Sequence, residues 1–323
     1  MMRDEGSVVE LRDEACHAVI TMSDSPPPSW HRPVMVQELV TALHPRAGLI
    51  VVDGTVGTGG HSLSIVPRLL PDGRLIAMDR DAESLALAQR RLVEFESHAT
   101  FLHENYRDLS AVLKRLGLRG VDGVLLDLGM SSLHIDHTER GFSFMHDGPL
   151  DMRMDRMQEI TAATIVNERS AEELERILLE FGEERFASRI ARRIVEERRV
   201  HPFVTTAQLA RVIVGALPSG ARHGRLHAAT RTFQALRIAV NDELGALREC
   251  LAGLREMLLP GGRAAILTFH SLEDRLVKRV FAQGAREGDW TLLTKKPVRP
   301  SIDEVRANSR ARSAKLRAIE RCG

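Results

Sequence analysis

The sequence predicts an α/β protein built on a Rossmann-like, doubly wound parallel sheet, with an all-helical segment inserted into it. Three observations predict this. Short apolar runs alternate with helix-patterned stretches from Leu49 onward, a glycine-rich turn follows the first run directly, and a long gap separates the run ending at Leu128 from the next one at Ala264.

The candidate strands are residues 49–53, 75–79, 100–103, 124–128 and 264–269. Helical patterns fill the intervals near 62–70, 82–94 and 109–116. A crossover between parallel strands needs only about a dozen residues, so the gap before Ala264 requires an insertion. Residues 137–240 read as that insertion, because 171–181 and 185–198 are strongly helical and strand signals are few; Pro202 and the loop from Gly215 to Gly224 break it. The chain then returns through a helix expected at 242–259, closed by Pro260-Gly261-Gly262 as a stop and turn. The expected organisation is a flexible tail at 1–29, where Ser23 to Ser29 carry three consecutive prolines, a core made of 30–136 and 241–323, and a helical substrate-recognition subdomain at 137–240.

A chain of 323 residues that is 43% hydrophobic can bury a sizeable core. Its longest apolar runs fall far short of the roughly 18 residues that span a bilayer. Cys16, Cys250 and Cys322 are too far apart for a CxxC pair, so a disulfide framework and a zinc ribbon are unsupported and a reducing, cytoplasmic setting fits. The acidic N-terminus has no apolar stretch of the secretory kind. A net charge of +1 argues against nucleic acid until it is divided by segment: the first 24 residues carry net −4, residues 182–240 net +7 and residues 295–323 net +6. Arginine supplies 40 of the 45 positive charges, and its planar fork suits phosphate and base stacking, although a coding bias toward arginine explains the excess equally well.

The chemistry gathers where strands end. The first strand runs through Asp53 into Gly54-Thr55-Val56-Gly57-Thr58-Gly59-Gly60-His61 and a helix, the form of a nucleotide-binding turn. Asp79, 26 residues after Asp53, closes the second strand where a carboxylate takes the two hydroxyls of an adenosine ribose. No Gly-Lys-Ser/Thr follows the turn, which argues against ATP hydrolysis. The glycine spacing fits S-adenosylmethionine better than the pyrophosphate of NAD, and an NAD-dependent oxidoreductase is the first rival reading. The fourth strand ends at Asp127, followed by Gly129-Met130-Ser131-Ser132. Asp127, Ser131 and Ser132 are candidate acceptors for a substrate amine, with Phe142 and Phe144 as stacking surface or, equally, as anchors of the insertion. His270 and Ser271, just past the fifth strand, are placed to face the pocket, and Ser271 with Asp274 has the spacing of a capping box. His134-x-x-His137 and Asp151-x-x-x-Asp155 lack the further ligands a metal needs, so no metal is expected.

These runs coincide with a known family. Residues 53–61, 122–132, 140–144, 147–155, 233–238 and 269–275 resemble, in order, the motifs of the RsmH (MraW) ribosomal RNA methyltransferases, and the resemblance extends from His31 to Arg317. It implies a class I methyltransferase sheet with a helical insertion, S-adenosylmethionine as cofactor, and N4-methylation of a cytidine in the decoding region of 16S small-subunit rRNA, free or within a ribosomal subunit or its precursor. Oligomeric state, a homodimer included, stays open. Carried over by position, the implied cofactor contacts are Gly59, Gly60, His61, Asp79, Tyr106, Asp127 and His134. His134 stands where the family commonly has glutamine, and Ala228 replaces a usual proline. The arginines of 185–237 and of 306–321 are expected to track RNA phosphates, the alternative being solvated helix faces. A non-catalytic RNA-binding assembly factor is the second rival.

Overall fold

In a computed structural model the described residues are 33–222 and 227–323, with the side chains of Ser132 and Arg222 excepted. The expected tail at 1–29 and the end of the loop at Gly224 lie outside them.

Seven strands form one sheet in the order β3-β2-β1-β4-β5-β7-β6: β1 Ile50–Asp53, β2 Arg74–Asp79, β3 Ala99–His103, β4 Val121–Asp127, β5 Leu258–Thr268, β6 Trp290–Leu292 and β7 Lys315–Arg321. The first five strands are parallel, whereas β7 runs antiparallel between β5 and β6. The helices are α1 Val36–Leu43, α2 Ser62–Leu69, α3 Ala82–Arg91, α4 Leu109–Arg115, α5 Ser132–Asp136, α6 Ala162–Glu168, α7 Ala171–Gly182, α8 Ala187–Arg198, α9 Thr206–Ala216, α10 Ser219–Arg222, α11 Thr230–Asn241, α12 Glu243–Ala252, α13 Leu254–Met257, α14 Ser271–Glu287 and α15 Ile302–Ala307. None of the described helices is long and apolar enough to cross a membrane.

Successive strand residues point to opposite faces, and in a doubly wound sheet both faces are covered, which is why these strands read as continuous apolar runs. Val52, Ile76, Met78, Val124, Leu126, Ala264 and Ile266 face one cluster together with α4, α12 and α14. Val51, Leu75, Ala77, Leu125, Ala265 and Leu267 face the other, built with α1, α2 and α3. Between β4 and β5 the described chain is helical, and α6, α7, α8, α9 and α11 share a third apolar cluster with Phe142, Leu150 and Met152. That cluster is tied to the sheet by buried polar bonds. Arg140 reaches Asp81 at the start of α3 at 3.2 Å and the carbonyls of Arg153 and Met154 at 3.1 and 2.9 Å, while Asn241 exchanges bonds with Met152 O at 2.7 Å and Met154 N at 2.8 Å.

The structure corrects the sequence reading in three places. Two strands were missed at the C-terminal end. There Leu316, Ala318 and Ile319 bury against β5 while Arg317 and Lys315 reach Asp274 at 2.7 and 2.8 Å, so Arg317 and Arg321, among the arginines expected to follow RNA in 306–321, belong to the sheet. Arg306 faces Asp303, Arg310 faces Asp136, and Arg321 donates to Leu258 O. The helix expected to reach residue 259 stops at Met257, and Pro260-Gly261-Gly262 form a bulge inside β5. Pairing steps there from Val121↔Leu258 to Gly123↔Arg263, with Gly261 at φ +76°. The cap of α14 is His270 with Glu273 rather than Ser271 with Asp274.

Candidate active site

The carboxyl ends of parallel strands leave a crevice where the helices turn away to either face. Here that crevice is a cavity of about 500 Å³ whose wall includes the turn after β1, Asp79, Tyr106, Asp127, Phe269 and Glu273. Part of its rim, Ala307, Asn308, Arg310 and Ser313, comes from the last residue of α15 and the segment after it.

The turn after β1 is laced across its neighbours. Gly54 N donates to Leu125 O and Val56 N to Met78 O, both at 2.9 Å, and Gly57 N donates to Asp79 Oδ2 at 2.7 Å. Backbone conformation calls for glycine at one position of the turn, and close packing disfavours a side chain at the next. Gly59 has φ +80° and packs its Cα side on Ala88 of α3, and a Cβ on Gly60 would lie 3.1 Å from Pro33. Gly60 and His61 line the cavity, whereas Gly59 does not; its place is in the turn's packing.

Asp79 accepts from Gly57 N and, through Oδ1, from Asp81 N at 2.8 Å, and burial pushes its carboxyl up to about 6. Tyr106 is a buried lining residue, with its hydroxyl donating to Glu243 O at 3.4 Å and its ionisation pushed up by burial. His134 borders the cavity, but both ring nitrogens are engaged. Nδ1 accepts from Ser131 N at 3.2 Å, Nε2 meets Asp81 Oδ2 at 2.7 Å, and the ring stacks on Phe142 at 4.7 Å. Burial opposes ionisation of Asp81, yet the His134 bond and the charge of Arg140 hold its carboxyl at about 2.

Asp127 stands in the opposite condition. Burial, reinforced by the negative charge of Glu273, pushes its carboxyl up to about 7. Its backbone N–H donates to Thr55 Oγ1 at 2.6 Å and its Oδ2 faces His61 Nδ1 at 3.4 Å, but the buried Oδ1 has no partner among the described residues. A buried acceptor left open at a cavity wall is costly unless a ligand completes it.

Of the remaining expected residues, Ser131 lines the cavity and caps α5 by accepting from His134 N at 3.4 Å, while the Ser132 side chain lies outside the described set. His270 and Ser271 do not line the cavity, contrary to expectation. The His270 ring is turned onto Glu273, with Nε2 2.9 Å from its Oε1, and Ser271 donates to Glu183 Oε2 at 2.7 Å. Their neighbours Phe269 and Glu273 take the wall instead, because a capping residue points back along its own helix. Phe142 and Phe144 are likewise absent from the wall. Phe144 stacks on His227 at 4.6 Å and meets Phe233 edge-on at 4.9 Å, so both rings anchor the helical segment.

The sequence reading missed Arg237, Glu243 and Glu273. Arg237 at the end of α11 makes a two-pronged bond to Glu243 of α12 at 2.8 and 2.9 Å, and all three residues line the cavity. Arg237 therefore belongs to this buried pair and not to an RNA-facing surface. Glu243, His270 and Glu273 also come within ligand distance of one another. Arg237 already takes both oxygens of Glu243, and Glu273 Oε2 accepts from Phe269 N and His270 N at 2.7 and 3.3 Å, while His270 Nε2 makes no hydrogen bond among the described residues. The two motifs set aside as metal ligands do not converge: His137 meets Glu139 at 2.7 Å and Asp151 meets Arg153 at 2.8 Å.

The cavity suits a nucleoside-sized ligand, since binding sites of this kind run from about 300 to 1,000 Å³. Comparison with known proteins agrees with the motifs. A sequence model described as the MraW methylase family matches residues 28–322. A ribosomal RNA small subunit methyltransferase H of Symbiobacterium thermophilum is 50% identical over 304 residues, which cover 90% of this chain and 96% of that one. The protein of the same description from Geobacter sp. (strain M21) is 47% identical over 306 residues, covering 90% and 98%. Among solved structures, a putative rRNA-methylase from Clostridium thermocellum aligns with a TM-score of 0.45 at 11% identity, over 90% of this chain and 99% of that one.

Proposed function

The chain belongs to the MraW methylase family, and from that membership we propose that it methylates the N4 amine of a cytidine in the decoding region of small-subunit ribosomal RNA, using S-adenosylmethionine. The observation that carries the chemistry is the unpartnered Oδ1 of Asp127, in one cavity with the β1 turn and Asp79. Asp79 and the turn would hold the nucleoside end of the cofactor, and Tyr106, which lines the same cavity, would cover its base. Bound there, the cofactor supplies a methyl group already activated by a positively charged sulfur. The protein's task is then to orient a weakly nucleophilic amine and to accept its proton. Asp127 Oδ1 is the open acceptor at the right end of the sheet, and Glu273 on the neighbouring wall helps keep that carboxyl basic.

A substrate base must reach this cavity from a single-stranded region, where bases can be splayed out. From just before α8 to just after it, Arg185, Arg189, Arg192 and Arg199 recur at helical spacing, are exposed, and make no ion pair among the described residues. Arg193 next to them is committed to Glu196 and Glu197 at 3.5 and 3.0 Å. This stripe supports phosphate contact by the helical segment. Nucleoside mass spectrometry of small-subunit rRNA incubated with protein and S-adenosylmethionine tests the proposal. N4-methylcytidine that depends on both is the expected product, and its absence, or a methyl group at another position, refutes it. Calorimetric titration that detects NAD but not S-adenosylhomocysteine would restore the oxidoreductase reading.

A further inference from the structure

Arg237 and Glu273 both line the cavity, both are almost fully buried, and each keeps one polar atom open. Arg237 spends Nε and Nη2 on Glu243 at 2.8 and 2.9 Å, and its Nη1 makes no hydrogen bond among the described residues. A guanidinium is all donor and no acceptor, so Nη1 is an open cationic donor. Glu273 is its complement. Oε2 is fixed by Phe269 N and His270 N at 2.7 and 3.3 Å, whereas Oε1 has only His270 Nε2 close by, at 2.9 Å and out of line for a hydrogen bond. Burial opposes ionisation of Glu273, yet His270, Arg237 and the Phe269 N–H hold its carboxyl below the ordinary value, so it stands as a carboxylate. Arg237 and Glu273 feel each other's charge but form no direct ion pair among the described residues. The cavity therefore holds a fixed donor and a fixed acceptor that are near each other and not spent on each other.

Resting on the proposed reaction, we infer that Arg237 and Glu273 select the base: Glu273 Oε1 accepts from the cytosine N4–H next to N3, and Arg237 Nη1 donates to N3. A flipped base is read on its Watson–Crick edge. Among pyrimidines, cytosine sets an amine donor beside a ring-nitrogen acceptor, and uracil sets the reverse. Uracil in the same place would turn O4 toward a carboxylate and N3–H toward a guanidinium, leaving two buried charged groups unpaired. Adenine carries the same two groups as cytosine, so the array reads the amine and not the ring size. The second N4–H stays free for Asp127 Oδ1, the open acceptor of the same cavity. The two carboxyls then divide the amine between them: Glu273 holds it and Asp127 takes its proton. Holding both N–H bonds leaves the face of the amine as the open approach for the methyl group. Glu243 acts through Arg237 and is a positioning residue, because its grip on Nε and Nη2 leaves Nη1 as the free prong. Buried as it is, Arg237 follows no phosphate backbone; it can meet only a base brought inside.

The test is equilibrium binding, with S-adenosylhomocysteine present, of small-subunit rRNA that carries cytidine, uridine or 3-deazacytidine at the methylated position. The deaza base keeps the amine and replaces N3 by C–H. The wild type should bind the cytidine RNA roughly ten- to hundredfold more tightly than either of the others, since each leaves a buried charged group unpaired. This arm stands whether or not a variant folds. Glu273→Gln keeps an oxygen for Phe269 N and His270 N and sets an NH2 where Oε1 stood, a donor that suits uracil O4. Its cytidine and uridine RNAs should bind within about threefold of each other, and its affinity for S-adenosylhomocysteine should stay within about threefold of the wild type. Three results overturn the inference alone while N4-methylcytidine is still formed by the wild type. They are a wild type that binds either other RNA as tightly as the cytidine RNA, a Glu273→Gln protein that keeps the wild-type preference, and one that binds S-adenosylhomocysteine more weakly than stated, which makes Glu273 a cofactor contact. A wild type that forms no N4-methylcytidine overturns the proposed reaction and the inference with it.

Discussion

Replacing Asp127 with asparagine should stabilise the cofactor-free protein while removing its activity. The carboxyl sits at about 7 instead of its ordinary 3.8. With a raised folded value the native state holds the proton more tightly than the unfolded chain, so the cost to folding appears above pH 4, grows as pH rises, and levels off above 7. At 1.36 kcal/mol per unit, the shift costs the wild type about 4 kcal/mol at pH 7.5 and about 2 kcal/mol at pH 5.5. The asparagine amide carries no charge, and its NH2 can donate to the His61 Nδ1 that Oδ2 now faces. Urea unfolding of both proteins at the two pH values measures the gap. The variant should be the more stable at pH 7.5, with the difference narrowing by about 2 kcal/mol at pH 5.5. Single-turnover transfer should fall at least a hundredfold, the lower end of what a positioned base contributes. A gap of equal size at both pH values, or a less stable variant at pH 7.5, would refute the claim that burial of an open carboxylate shapes this site.

Other perturbations probe the remaining parts. Asp79→Asn removes one charge-assisted acceptor worth about 1.5–3 kcal/mol, so calorimetry should find S-adenosylhomocysteine bound roughly ten- to hundredfold more weakly. Arg237→Met strands Glu243 in a buried setting and should cost about 3–5 kcal/mol of unfolding free energy, most of it recovered when Glu243→Leu is added; a double variant as unstable as the single would show that the pair is not the cause. Arg189→Glu together with Arg192→Glu should weaken RNA binding, with about one unit lost from the salt slope for each phosphate contact removed. The same binding measured at two salt concentrations with no change would return α8 to an ordinary solvated face.

Much of the sheet is legible because it is written locally. Apolar runs, a glycine turn and an aspartate at each of three strand ends are neighbours in sequence, and βα geometry carries Asp53, Asp79 and Asp127 to the same edge wherever the rest of the chain goes. Strand β7 was hidden because its apolar residues alternate with arginines and lysine, which read as a basic tail until Asp274 is seen to neutralise Arg317 and Lys315. Arg237, Glu243 and Glu273 were hidden for a related reason. Each sits on a helix where a charged residue is ordinary, and only packing of α11, α12 and α14 around one cavity gives it a role.

The sequence by itself determined the parallel sheet, its nucleotide-binding edge and the helical segment between β4 and β5, since backbone preference and periodicity act over a few residues at a time. Tertiary structure alone decided what the acids do. Asp81 just follows a strand and Asp127 ends one, yet the first is held at about 2 by His134 and Arg140 and the second is raised to about 7 by burial and Glu273. The groups that set these values lie 53 to 146 residues away along the chain. An ionisation equilibrium responds to whatever charge and solvent lie within a few ångströms, and only the folded chain brings those together.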